Sequence, residues 1–149
     1  MATDRRADVT WNGGLMDGSG TIRSTTSGAF GELPVSWAAR SEDKTGGKTS
    51  PEELIAAAHA ACFSMALSAG LAKAGTPPDE LATSATVTFQ PGEGITKIAL
   101  TVEGKVAGID AEAFEQAAQT AKENCPVSKA LTGVPEMTVE VRRLDVAPK

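Results

Sequence analysis

Apolar and polar positions along this chain change period four times, and each change marks an element. Val9 and Trp11 alternate with polar neighbours before Asn12-Gly13-Gly14 turns the chain, and a second short strand fits Gly20 to Thr25. Val35, Trp37 and Ala39 alternate with Ser36, Ala38 and Arg40, which predicts a strand with Arg40 on the face opposite the tryptophan. Residues 41–49 are polar and glycine-bearing, a loop. The period then becomes helical. Ser50 can cap, Pro51 suits the first helical position and Glu53 completes a capping box. The helix continues through PEELIAAAHAACFSMALSAGLAKA to about Ala74, where Gly75 and Pro77-Pro78 stop it. Residues 83–90 and 95–106 alternate again, joined by PGEG as a hairpin. Asp110 caps a helix whose stripe is Phe114, Ala117, Ala118, Ala121 and Cys125; Pro126 opens a short helix to about Leu131; Met137, Val139 and Val141 alternate in a last strand. This order predicts an α+β fold with mainly antiparallel pairing, in one domain over residues 1–149.

Composition adds limits. The 149 residues are 41% hydrophobic and only 4% aromatic, with no tyrosine, so alanine fills much of the interior and lets helices approach closely. A net charge of −5 argues against a nucleic-acid partner, which needs clustered Lys and Arg. The charged N-terminus carries no following apolar segment, unlike a secretory signal. Leu54 to Ala72 approaches membrane-spanning length but includes His59, Ser64, Ser68 and Gly70, so the expectation is a core helix of a soluble, cytoplasmic protein with no membrane partner.

The chemistry candidates are the two cysteines. Cys62 lies in the long apolar helix and Cys125 at a helix end before Pro126, a separation that forms neither a CxxC loop nor a zinc motif. They fit a pair that meets only on folding, one sulfur attacking and the other resolving. The plain alternative for Cys62 is a small apolar residue in an alanine-rich core, sharing a face with Ile55, Ala58, Met65 and Ala69. An attacking sulfur must be a thiolate; moving a thiol from ~8.5 to ~6 takes ~3.4 kcal/mol, which one guanidinium in a low-dielectric pocket can supply. Arg40 is the favoured cation, with Arg23 second, and Glu52 or Glu53 could hold it in a bidentate pair. Glu52 and Cys62 are ten residues apart, ~15 Å along a straight helix, so one helix cannot place both against the same substrate atom unless a long arginine bridges them or a partner chain supplies one. His59, the single histidine, precedes Cys62 by three and could form a Cys–His hydrolase dyad, although such a histidine more often packs. No metal or cofactor is expected.

At these residues the chain resembles the osmotically inducible protein C / organic hydroperoxide resistance family (OsmC/Ohr), in its OsmC-like branch. PEELIAAAHAACFSMAL resembles the segment around that family's peroxidatic cysteine and NCPVSKAL the one around its resolving cysteine; GITKIALTVEGKVAGIDAEAFEQAAQTAK and the N-terminal WNGGLMDGSGTI are also OsmC-like. The resemblance implies an OsmC-like fold around a long central helix in an intertwined homodimer. It implies a thiol peroxidase acting on organic hydroperoxides and hydrogen peroxide, with Cys62 peroxidatic, Cys125 resolving, Arg40 activating and Glu52 orienting that arginine. A dithiol reductant, such as a lipoylated protein, would restore the thiols. The apolar Phe63 and Met65 near Cys62 suggest a preference for alkyl hydroperoxides. The rival reading is a redox sensor or binding module that uses the same pair without turnover.

Overall fold

The computed structural model describes residues 1–146 and divides into two compact units, Met1–Leu54 and Ile55–Lys149. In the first unit, β1 (Ala7–Asn12), β2 (Ser19–Ser24) and β3 (Leu33–Val35) form an antiparallel sheet in that order. Gly20 must be a glycine, because a Cβ there would lie 2.8 Å from the Trp11 ring and 2.9 Å from a Val35 methyl.

The segment after β3 departs from the sequence expectation. Trp37–Ser41 is a helical turn, α1, not a continuation of the strand. Ser36 causes the switch: its backbone is extended and its hydroxyl accepts from Ala39 N–H, so it acts as an N-cap. Trp37 and Arg40 therefore share a face at helical spacing instead of lying on opposite faces, and the Arg40 guanidinium carbon sits 6.0 Å from the Trp37 ring centre.

The long helix α2 (Pro51–Lys73) starts where Ser50, Pro51 and Glu53 require. Glu53 N–H donates to Ser50 Oγ at 3.1 Å; the Glu53 carboxylate accepts from Thr49 Oγ1 at 2.7 Å. The unit boundary falls in its first turns, so most of α2 belongs to the second unit.

There β4 (Glu80–Gln90) and β5 (Gly94–Lys105) form the expected antiparallel hairpin. β6 (Glu136–Asp145) joins the other edge of β5, but in parallel, because α3 (Ala111–Asn124) and α4 (Pro126–Ala130) intervene and return the chain to the start of the sheet. Asp110 caps α3 by accepting from Ala113 N–H at 2.7 Å. The core collects Phe63, Leu67 and Leu71 from α2, Leu100 and Val102 from β5, and Phe114, Ala118 and Ala121 from α3. Burying each phenylalanine side chain contributes ~1.5–3 kcal/mol relative to leaving it in water.

α2 is long and apolar enough to cross a membrane by length and composition alone. One of its faces is instead committed to this core. The other is not: Ala57, Ala58, Ala61, Met65 and Ala69 are exposed in the single chain, Met65 at 72%. Phe63, expected near the thiol's approach, points into the core and is fully buried.

Candidate functional site

Cys62 is on the fourth turn of α2 and half-buried; Cys125 ends α3, caps α4 and is fully buried. Backbone conformation explains the second position. Cys125 leaves the helical region (φ −57°, ψ 125°), Pro126 opens the next helix, and the break turns the cysteine inward toward α2. Across 63 residues of sequence the two sulfurs come to 2.9 Å. Both thiols are free and lie a small movement from bonding distance.

At that distance the two thiols titrate as a pair. Burial raises Cys62, and its hydrogen bond with Cys125, in which Cys62 keeps the proton and donates it to the Cys125 sulfur, raises it further, partly offset by the Val127 backbone N–H. Burial would raise Cys125 as well, but the hydrogen bond with Cys62, the amide and hydroxyl of Ser128 and the amide of Val127 together hold it below an ordinary thiol. The sulfur closes no formal cap hydrogen bond with the α4 amides, yet these donors face it closely enough to favour its charged form. This differs from the expectation of a lowered Cys62: within the second unit the first-lost proton belongs to the dyad, and its negative charge is best held on Cys125.

The other predicted residues gather in the first unit. Arg40 Nε donates to both Glu52 oxygens at 2.9 and 3.2 Å, and Nη2 donates to Oε2 at 3.0 Å. Glu52 is buried and Arg40 about one-third exposed at its side chain, so this charge-assisted fork is partly shielded from water. Of the two candidate glutamates, Glu52 takes the arginine while Glu53 stays with the helix cap. Arg23 instead meets Glu32 at 3.3 Å on an exposed surface.

His59 does not pair with Cys62. Its Nε2 lies 2.7 Å from Ser128 Oγ, its Nδ1 has no partner among the described residues, and burial lowers its pKa. A Cys–His hydrolase dyad is thereby removed. Ser128 was not singled out from sequence. The available signal was its place three residues after Cys125, matching His59 three before Cys62. No group of three or more metal-ligating side chains occurs among the described residues.

The family described as OsmC-like protein matches residues 43–140. The chain is 46% identical over 134 residues to peroxiredoxin OsmC of Escherichia coli (strain K12), covering 88% of this chain and 92% of that one. It is 35% identical over 95 residues to organic hydroperoxide resistance protein OhrA of Bacillus subtilis (strain 168), covering 62% and 67%. Among solved structures, an OsmC-like protein from Mycoplasma pneumoniae superposes with a TM-score of 0.73 at 18% identity over 97% of this chain and 99% of that one. OhrB of Bacillus subtilis superposes with a TM-score of 0.62 at 28% identity, covering 92% and 98%. The α+β architecture with two small sheets and a long apolar helix is that of these structures, and the chain belongs to the OsmC/Ohr family.

Proposed function

We propose that this protein is a cysteine-based peroxidase that reduces organic hydroperoxides, and hydrogen peroxide, with Cys62 attacking and Cys125 resolving. Family membership supports a peroxide-related redox role. The observation that carries the finer reading is the 2.9 Å approach of two free sulfurs from separate helices.

The Cys62 thiolate attacks the distal peroxide oxygen. A sulfur–oxygen bond forms, the oxygen–oxygen bond breaks, and the alkoxide leaves as alcohol after taking a proton. Cys62 is now a sulfenic acid, oxidised by two electrons. The Cys125 thiolate attacks that sulfur; a disulfide forms and hydroxide leaves, becoming water with one proton. An external dithiol, of the lipoyl type, returns two electrons by thiol–disulfide exchange. Cys62 attacks from the state in which Cys125 carries the proton, a state that the second unit alone disfavours and that a cation beside Cys62 would have to favour; Cys125 attacks once its own proton has gone.

Arg40 is assigned to hold Cys62 as the thiolate and to polarise the peroxide, with Glu52 and the Trp37 ring fixing its guanidinium. Residues 1–149 act as one OsmC-like domain within a homodimer, the site being completed by assembly. The exposed small-residue face of α2 supports such a dimer. The cytoplasm, where a dithiol reductant is available, suits the reaction.

The test is steady-state consumption of cumene hydroperoxide by wild type, Cys62→Ser and Cys125→Ser, with dihydrolipoamide or a monothiol as reductant. Wild type turns over with the dithiol. Cys62→Ser loses activity by about 10³-fold or more, consistent with removing the nucleophile. Cys125→Ser forms a trappable sulfenic acid once per chain but does not sustain dithiol turnover. A wild type that oxidises once and stops would instead identify a sensor.

A further inference from the structure

His59 and Ser128 are both buried, lie far apart in sequence and meet at 2.7 Å, and the steps above give His59 no part. Their placement is a second rung beside the sulfurs. His59 is three residues before Cys62 on α2, and Ser128 is three residues after Cys125 on α4. The His59–Ser128 contact thus repeats the Cys62–Cys125 contact about one helical turn away, between the same two strips of chain.

The hydrogens can be assigned. Burial keeps the imidazole neutral, so only one ring nitrogen carries a proton. Nδ1 is buried and without a partner among the described residues. A buried N–H left unpaired is worse tolerated than an unpaired acceptor, so the proton belongs on Nε2, where Ser128 Oγ accepts it. With one lone pair engaged by His59, the Ser128 hydroxyl keeps its own hydrogen free to donate, and that hydroxyl is among the groups that lower the Cys125 titration.

We propose that His59 and Ser128 are positioning residues for the resolving cysteine: His59 Nε2–H holds the Ser128 hydroxyl so that it donates to Cys125 Sγ, and the same bond pins α4 to α2 so that the two sulfurs stay within reach. The proposal rests on Cys125 being the resolving residue. In the resolving step, Ser128 steadies the Cys125 thiolate as its electron pair moves to the Cys62 sulfur and hydroxide departs; no proton passes to His59, whose buried ring is a poor acceptor.

The experiment separates the two half-reactions. One equivalent of cumene hydroperoxide is mixed with reduced protein. Sulfenic acid on Cys62 is followed by trapping, and its closure to the disulfide by loss of free thiols. Ser128→Ala and His59→Leu slow closure by about tenfold, the loss of one hydrogen bond to a charged group, while sulfenic acid forms at least as fast as in wild type, because charge no longer held on Cys125 passes to Cys62. Ser128→Thr keeps the hydroxyl, and His59→Gln keeps a donor at the same reach; both recover most of the closure rate, which a general packing defect would not allow. In parallel, the thiolate absorbance of Cys125 is titrated in a Cys62→Ser background, where the neighbours that matter are Ser128, the Val127 amide and, behind Ser128, neutral His59. There Ser128→Ala raises the Cys125 titration and Ser128→Thr does not. Unchanged closure and unchanged titration in Ser128→Ala and His59→Leu overturn the proposal. Wild type that forms no sulfenic acid overturns the peroxidase reading instead, and the titration arm still decides whether the pair acts on Cys125.

Discussion

At the scale of single residues, two sulfurs 2.9 Å apart titrate as a pair, with Cys62 pushed up and Cys125 held down. Their surroundings also give His59 a measurable effect on stability. Burial lowers the His59 pKa below its ordinary ~6.5, so the unfolded chain binds a proton that the folded chain refuses. The contribution of the neutral ring is fully present above ~6.5 and is lost as pH falls from there toward the lower folded value. Denaturant unfolding at pH 7 and pH 5 therefore gives a larger loss of stability for wild type than for His59→Gln, which has nothing to protonate in that window. Equal losses would mean that the imidazole is not held neutral by the fold. From sequence, Cys62 and Cys125 were legible because of where they sit in their helices, and His59 because it is the single histidine. Ser128 was not, because a serine in a helix carries no chemical signal until something buried faces it.

At the scale of elements, capping residues were the most legible features: Ser50, Pro51 and Asp110 start their helices where read. The failure at residues 36–41 has the same origin. Ser36 is also a cap, but the five-residue α1 is too short for its period to be told from alternation. The error mattered, since only the helical turn brings Arg40 over Trp37. The β5–α3 packing offers a check on the core. A Cβ added at Gly104 would stand 2.6 Å from Cζ of the fully buried Phe114 ring. Gly104→Ala is expected to destabilise the protein by ~1–3 kcal/mol through overpacking, read as a lower denaturation midpoint with unchanged slope. A variant as stable as wild type would show that the ring can move aside freely.

At the scale of the whole molecule, α2 is apolar nearly all round yet buries only one side in the single chain. Ala58, Ala61, Met65 and Ala69 form a stripe of small and flexible side chains, of the kind that permits close helix approach. In the proposed homodimer this stripe is covered. Met65→Lys places a charge in it and is expected to shift the protein from dimer to monomer in sedimentation equilibrium, at unchanged secondary structure by circular dichroism. A variant that stays dimeric would move the interface elsewhere. Peroxidase activity falls with the dimer if assembly completes the site.

The sequence by itself determined the helix and strand boundaries that depend on near neighbours, the α+β class, and the two thiols at a helix middle and a helix end, because caps, prolines and hydrophobic period act over a few residues. Only the tertiary structure decided that the sulfurs approach to 2.9 Å, that Glu53 turns to Thr49 while Glu52 forks onto Arg40 as the resemblance implied, and that His59 faces Ser128 rather than Cys62. Each of these is a choice among partners whose chemistry is equally suitable in the linear chain; packing and backbone direction make the choice, and no local pattern encodes it.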